Sequence, residues 1–171
     1  RMSPSQPSER PSAARRIAFI GGGNMASAII GGLLRQGLPP SQVRVVEPVA
    51  EARTRLAQQF GVAAQAGAGT ELADAALVVW AVKPQTFKDA AAQARAHVGD
   101  ALHLSVAAGI RSDSIAAWLG TDRVVRAMPN TPALVGKGMT GLYARAAVSD
   151  DDRARVVEVI ATTGEQLWVA E

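Results

Sequence analysis

The stretch Arg16-Ile-Ala-Phe-Ile-Gly-Gly-Gly-Asn-Met-Ala26 decides the fold of this chain of 171 residues. Residues 17–20 are apolar, suit a buried parallel strand, and lead directly into the spacing Gly21-x-Gly23-x-x-Ala26. An apolar pattern of helical period follows at once. A strand, a tight turn and a helix in this order indicate the start of a dinucleotide-binding unit. The open alternative is an ordinary strand-to-helix turn whose glycines serve packing alone.

The small residues of this turn have separate physical roles. Gly21 lets the chain turn off the strand, and Gly23 has no Cβ, so the backbone can approach a pyrophosphate. Ala26 keeps the helix close to the strand. The start of the helix adds free N–H groups and a partial positive charge, which together favour an anion.

Strand-like and helix-like segments alternate from Arg16 to the end of the chain. This alternation predicts an α/β fold, Rossmann-like and doubly wound, with a mostly parallel sheet and helices on both faces. We assign residues 16–171 to one dinucleotide-binding domain. The predicted strands are 17–20, 43–47, 62–63, 77–82, 102–106, 123–126, 139–143 and 166–169. The helices after the first are predicted at 49–60, 85–97, 112–119 and 149–160.

Charge, hydropathy and cysteine content limit the classes of function that fit this chain. Residues 1–15 are rich in Ser, Pro and Arg, which predicts a disordered tail or a cloning remnant. The net charge of +3 comes from residues 1–16, so no basic face for nucleic acid is expected. No apolar run reaches membrane length, and we expect no membrane partner and a cytoplasmic location. Without cysteine, and with His97 and His103 outside any ligand spacing, no metal site is predicted.

Glu47 ends the second predicted strand, where an acidic side chain can accept hydrogen bonds from a ribose diol. That placement favours NADH, because a carboxylate repels the extra phosphate of NADPH. Arg53 lies nearby in the sequence and could instead hold that phosphate. The alternative for Glu47 is a charge that stays in solvent.

Three further clusters follow predicted strands, at the edge where an open parallel sheet places its site. Ala81-Val-Lys-Pro84 puts Lys83 near the cofactor or in solvent, and the small residues 106–109 leave room for a flat ring. In Met128-Pro-Asn-Thr-Pro132, the prolines stiffen a loop around Asn130, which could bind a carboxamide or cap its own turn. No catalytic side chain is predicted, so the chemistry would be hydride transfer by the cofactor.

These clusters, in this order, resemble the pyrroline-5-carboxylate reductase family. The resemblance rests on the motifs at residues 17–26, 81–85, 105–109 and 126–132, and it covers residues 16–171. It implies that NADPH or NADH reduces 1-pyrroline-5-carboxylate to L-proline, the last step of proline biosynthesis.

The resemblance also implies the cofactor contacts. Residues around the pyrophosphate would be Ile20, Gly21, Gly22, Gly23, Asn24 and Met25. Glu47 would stand at the adenosine ribose, where family members often carry Ser or Asn, so the family's usual preference for NADPH is not expected here. The ribose side would be lined by Ala81, Val82, Lys83 and Pro84, and the nicotinamide by Ala107, Ala108, Gly109 and Asn130.

The helical C-terminal domain of that family, which makes its dimer and most substrate contacts, has no counterpart in residues 1–171. We therefore expect the chain to be the cofactor-binding part of a homo-oligomeric enzyme, without turnover by itself. Two alternatives stay open: the cofactor domain of a β-hydroxyacid dehydrogenase, and a non-catalytic NAD(P)-binding module.

Overall fold

The computed structural model describes residues 16–130 and 139–171, except the side chains of Pro129 and Asn130. The predicted tail of residues 1–15, and Thr131 and Pro132 of the predicted loop, lie outside the described residues. The strands are β1 (Ile17–Ile20), β2 (Val43–Val46), β3 (Ala64–Gln65), β4 (Leu77–Trp80), β5 (Leu102–Ser105), β6 (Val124–Asn130), β7 (Met139–Ala144) and β8 (Glu165–Trp168). The α-helices are α1 (Asn24–Arg35), α2 (Ala50–Phe60), α3 (Pro84–Ala94), α4 (Ser112–Leu119) and α5 (Asp150–Ile160).

The strands form one sheet in the order β3-β2-β1-β4-β5-β6-β7-β8. All neighbours pair in parallel except β6 and β7, which pair antiparallel. The strand order reverses beside β1, where Ile20 pairs with Val46 on one side and with Trp80 on the other. The predicted Rossmann-like, doubly wound and mostly parallel sheet is confirmed.

Helices cover both faces of the sheet, because alternate strand residues are apolar on each side. Phe19 belongs to the core beneath α1, α2 and α5, together with Ile29 and Val156. Ile20 belongs to the core beneath α3 and α4. In that second core Trp80 is fully buried and stacks on Phe87 with ring centroids 4.8 Å apart, so Trp80 is a packing residue.

Four elements differ from the prediction by two or more residues at a boundary. Strand β4 ends at Trp80 rather than at Val82. Helix α2 ends at Gly61 with a left-handed φ of 67°, and the third strand begins at Ala64, two residues later than predicted. Helix α3 ends at Ala94, three residues before the predicted end at His97. Strand β6 runs on to Asn130 because β7 pairs with it along that length. Its Pro129 lies beyond Arg126, the last residue of β6 that pairs with β5, and proline is tolerated where a strand has no partner on one side among the described residues.

Candidate functional site

A cavity of about 440 Å³ lies at the carboxyl ends of β1, β2 and β4, where the strand order reverses. This is the position at which open parallel sheets bind their ligands. Seven of the residues predicted for the cofactor line it: Ile20, Gly21, Gly23, Glu47, Ala81, Val82 and Lys83.

The three glycines of the turn meet different surroundings. Gly21 has a φ of 98°, and a Cβ there would lie 2.8 Å from the carbonyl carbon of Ala81. A Cβ at Gly22 would lie 2.8 Å from Cδ1 of Leu56. A Cβ at Gly23 would meet nothing within 4 Å, although Gly23 lines the cavity. The fold therefore requires glycine at position 21, and a side chain at position 22 would need Leu56 to shift, whereas Gly23 leaves open space toward the cavity.

Helix α1 begins beside this open space without a side-chain cap. Gly23 is its N-cap residue, and Asn24 and Met25 at its start are exposed. The N–H groups of a first helical turn have no partner within the helix, and they attract anions. The structure thus places the predicted pyrophosphate contacts around a helix start that is accessible from the cavity.

Glu47 braces the glycine turn. Its Oε1 accepts a hydrogen bond from the backbone N–H of Gly22 at 3.0 Å, and its Oε2 accepts one from the N–H of Val49 at 2.9 Å. A carboxylate oxygen can accept more than one hydrogen bond, so Glu47 keeps acceptor capacity toward the cavity that it lines. The alternative of a purely solvated charge does not fit these contacts.

Arg53 supports the backbone that follows β2. Its Nη1 donates to the carbonyl oxygens of Glu47 at 2.9 Å and Pro48 at 2.8 Å. Arg53 does not line the cavity. The suggestion that it holds the extra phosphate of NADPH stays a prediction, and these contacts do not favour it.

Lys83 and Pro84 form the start of α3. Lys83 is exposed, lines the cavity and is the N-cap residue, while Pro84 is the first helical residue, where its missing N–H costs nothing. Thr86 closes this turn by donating from its Oγ1 to the carbonyl oxygen of Lys83 at 2.9 Å. The geometry leaves the Lys83 ammonium free to approach a phosphate or the solvent.

A second group of predicted residues lies farther along the same edge, in the loop between β5 and α4. Ala107 is buried and donates its N–H to Oγ of Ser105 at 3.2 Å, while Ala108 and Gly109 are exposed. Gly109 has a φ of 73°. The backbone of Asn130 ends β6 opposite Met139. None of these residues lines the cavity, so the predicted contacts fall into two groups. After the cofactor parts predicted for them, we call the group at the cavity the adenosine side and the group in the loop after β5 the nicotinamide side.

Several residues that line the cavity are not among those predicted from the sequence. They lie in the loops after β2 and β3 and on α3: Pro48, Val49, Ala66, Ala68, Thr86 and Gln93. The sequence contained one signal for them: residues 66–69, after the third strand, are all Ala or Gly, like the small residues that follow the first and fifth predicted strands.

His103 has a structural environment. Its Nδ1 accepts a hydrogen bond from Nε1 of Trp80 at 3.0 Å, and the side chain is buried. Burial, together with the nearby charge of Arg123, lowers the pKa of His103 to about 4. Among residues 16–130 and 139–171, no group of three or more His, Cys, Asp or Glu could hold a metal ion. In the described part of the chain, no helix has the length and apolar character needed to span a bilayer.

Residues 16–109 match the model of a protein family described as NADP oxidoreductase, coenzyme F420-dependent. The chain is 46% identical over 156 residues to a pyrroline-5-carboxylate reductase of Pseudomonas aeruginosa, covering 90% of the chain and 57% of that protein. It is 39% identical over 160 residues to the Escherichia coli protein of the same name, covering 92% of the chain and 60% of that protein.

Among solved structures, a pyrroline-5-carboxylate reductase from Coxiella burnetii is 32% identical, with a TM-score of 0.83. That match covers 92% of this chain and 60% of the other. The resemblance predicted from the four motifs is therefore confirmed, and the chain spans about 57–60% of the length of these relatives.

Proposed function

We propose that residues 16–171 form one domain that binds NADPH or NADH. The proposal proceeds from the family: the chain belongs to the family described as NADP oxidoreductase, coenzyme F420-dependent. The observation that carries this proposal is the cavity at the strand reversal, which is open at Gly23 and adjoins the uncapped start of α1. A dinucleotide pyrophosphate fits that combination of space, free N–H groups and helix dipole.

We further propose that the whole protein reduces 1-pyrroline-5-carboxylate to L-proline. The support is the name of the relatives, which are 46% and 39% identical over nine-tenths of this chain. Because the chain spans less than two thirds of those relatives, the substrate belongs to the proposal. Cytoplasmic location and homo-oligomerisation stay predictions.

The bound cofactor would supply a hydride, and the residues of this chain would hold it in place. Gly21, Gly22 and Gly23, with Ile20, Asn24 and Met25, surround the pyrophosphate position. Ala81, Val82, Lys83 and Pro84 line the ribose side of the site, and Glu47, with Arg53 near it, stands at the adenosine ribose. On the nicotinamide side, the small residues Ala107, Ala108 and Gly109, with Asn130, admit a flat ring close to the backbone.

Glu47 sets the expected choice of cofactor. Its carboxylate is held by Gly22 and Val49, so it cannot easily swing away from an extra phosphate. Repulsion between partly exposed charges is worth about 1 kcal/mol. We therefore expect NADH to bind at least as well as NADPH.

The dinucleotide site is tested by calorimetric titration of the chain with NADH and the variant Gly23→Val. The new side chain meets no protein atom near its Cβ, so stability should change by no more than about 1 kcal/mol. It would displace the pyrophosphate, and we expect affinity to fall about tenfold or more. Ala28→Val, at an exposed position of the same helix, is the matched control. Equal affinity in wild type and Gly23→Val would refute the site.

The reaction is tested with the whole gene product, by following the absorbance of the reduced nicotinamide. Oxidation of NADPH or NADH should depend on added 1-pyrroline-5-carboxylate. Reduction of NADP+ or NAD+ by a β-hydroxy acid instead would support the dehydrogenase alternative, and tight cofactor binding without turnover of either kind would support the non-catalytic module.

A further inference from the structure

The carboxylate of Glu171 is buried against the start of α4. It accepts hydrogen bonds from the backbone N–H of Ser112 and from its Oγ, each at 2.9 Å. It also pairs with Nη1 of Arg126 at 3.0 Å. The Glu171 and Arg126 side chains are only 9% and 10% exposed. Two charges so well shielded from water are paired rather than solvated.

Further guanidinium groups surround this contact. Nη2 of Arg111 lies 3.5 Å from Oε1 of Glu171, and Nη1 of Arg145 donates to Oγ of Ser112 at 3.3 Å. Burial alone would raise the pKa of Glu171, but hydrogen bonds from Ser112 and Arg126 outweigh it and lower that pKa. The carboxylate is therefore charged when the chain is folded at neutral pH.

Ser112 is also the point at which the loop from β5 ends. At its other end this loop is fixed by two hydrogen bonds, from the N–H of Val106 to the carbonyl oxygen of Trp80 at 3.0 Å and from that of Ala107 to Oγ of Ser105 at 3.2 Å. Residues 108 and 109 between the two anchors are exposed. Glu171 supplies the second anchor from 59 residues away in the sequence.

The path of the chain explains how Glu171 reaches this loop. After β8, the N–H of Val169 still pairs with the carbonyl oxygen of Leu142 in β7 at 2.8 Å. The chain then leaves the sheet edge, and Glu171 meets Arg126 in β6 and Ser112 in α4. The end of β8 is thereby tied to the far end of the predicted nicotinamide loop.

We infer that Glu171 is a positioning residue, which fixes residues 106–111 through Ser112 and Arg126 for contact with the nicotinamide half of the cofactor. The inference rests on the proposed function. Removing the charge would leave the N–H of Ser112 without its acceptor and the Arg126 charge without its partner. The loop would then lose its hydrogen-bonded anchor at the α4 end, while the cavity on the adenosine side, which Glu171 does not line, would keep its shape.

The test compares two ligands on the intact chain: NADH, which reaches both sides, and ADP, which reaches only the adenosine side. In Glu171→Gln we expect NADH affinity to fall roughly three- to tenfold and ADP affinity to change less than about twofold. Glu171→Asp keeps the charge on a shorter side chain and should give an intermediate loss. Glu165→Gln, an exposed acid in β8, is the matched control and should leave both affinities unchanged.

Equal losses of affinity for NADH and ADP in Glu171→Gln, or no loss for either ligand, would overturn the inference. Amide hydrogen exchange gives a readout that needs no cofactor. In Glu171→Gln, exchange at residues 106–112 should become faster while residues 17–35 keep their protection. Failure of the wild type to bind NADH would refute the proposed function, whereas unchanged exchange at residues 106–112 would refute the positioning role alone.

Discussion

The adenosine side and the nicotinamide side of the predicted site lie on one sheet edge but are held in different ways. On the adenosine side, Gly21 and Gly22 pack against backbone and core, and Glu47 hydrogen-bonds the turn that it follows. On the nicotinamide side, the loop after β5 is fixed by Glu171, which follows β8 and lies 59 residues from Ser112 in the sequence. The adenosine side is held mainly by the backbone of the glycine turn and its contacts with neighbouring strands. The nicotinamide side depends on charged side chains that are distant in the sequence and meet only in the folded chain.

This difference predicts that the two sides respond to different perturbations. Substitutions on the adenosine side should act on folding when they add a side chain at Gly21 or Gly22, and on cofactor binding when they add one at Gly23. On the nicotinamide side, changes of charge or of pH should weaken the contacts of Glu171 and His103, which join neighbouring elements of the fold. The following variants separate these effects.

Gly21→Ala should have the largest effect, on folding. The position has a φ of 98°, and the added Cβ would overlap the Ala81 carbonyl group. Strain in this region and the overlap together should lower the free energy of unfolding by about 3 kcal/mol or more. Urea denaturation of Gly21→Ala beside Gly23→Ala measures the effect, and equal stability of the two variants would contradict our account of the turn.

His103 joins β5, on the nicotinamide side, to Trp80 in β4, and it should make stability depend on pH. Its pKa is about 4 in the folded chain against an ordinary 6.5, so the unfolded chain binds the proton more readily. The contribution is fully present above about pH 6.5 and falls by about 3 kcal/mol as the pH drops toward 4.

Denaturation midpoints across that range test the prediction. His103→Gln removes the titrating group and should flatten the pH dependence between 6.5 and 4. His97→Gln, at a partly exposed histidine, controls for loss of an imidazole. A wild-type profile that is already flat in this window would contradict the assignment.

Glu47→Gln should have the smallest effect and should be confined to the adenosine side. Loss of the charge should raise the ratio of NADPH to NADH affinity several-fold, corresponding to about 1 kcal/mol. Glu51→Gln, in the exposed first turn of α2, is the matched control. Parallel titrations with both cofactors provide the ratio, and wild-type binding of NADPH tenfold tighter than NADH would shift attention to Arg53.

The sequence predicted the adenosine side better than the nicotinamide side. A strand, Gly21 and an amphipathic helix are consecutive in the chain, so local spacing was sufficient to predict the turn and the sheet around it. The contact between Glu171 and Ser112 has no local period or motif, because it forms only when residues 59 apart meet. The late start of β3 likewise depends on the left-handed conformation of Gly61 and on the pairing of Ala64 with Val45 in β2.

The position of β1 has a consequence for folding kinetics. It is the first strand in the described chain, yet it is central in the sheet, and Ile17 pairs with both Val43 and Leu77. Its hydrogen bonds can be completed only after two long chain segments have closed, and the entropy lost in closing them raises the free-energy barrier and slows folding. Until Leu77 joins, one edge of an apolar strand stays open to other chains. Refolding yield should therefore decrease as protein concentration rises, even for a chain whose native state is stable.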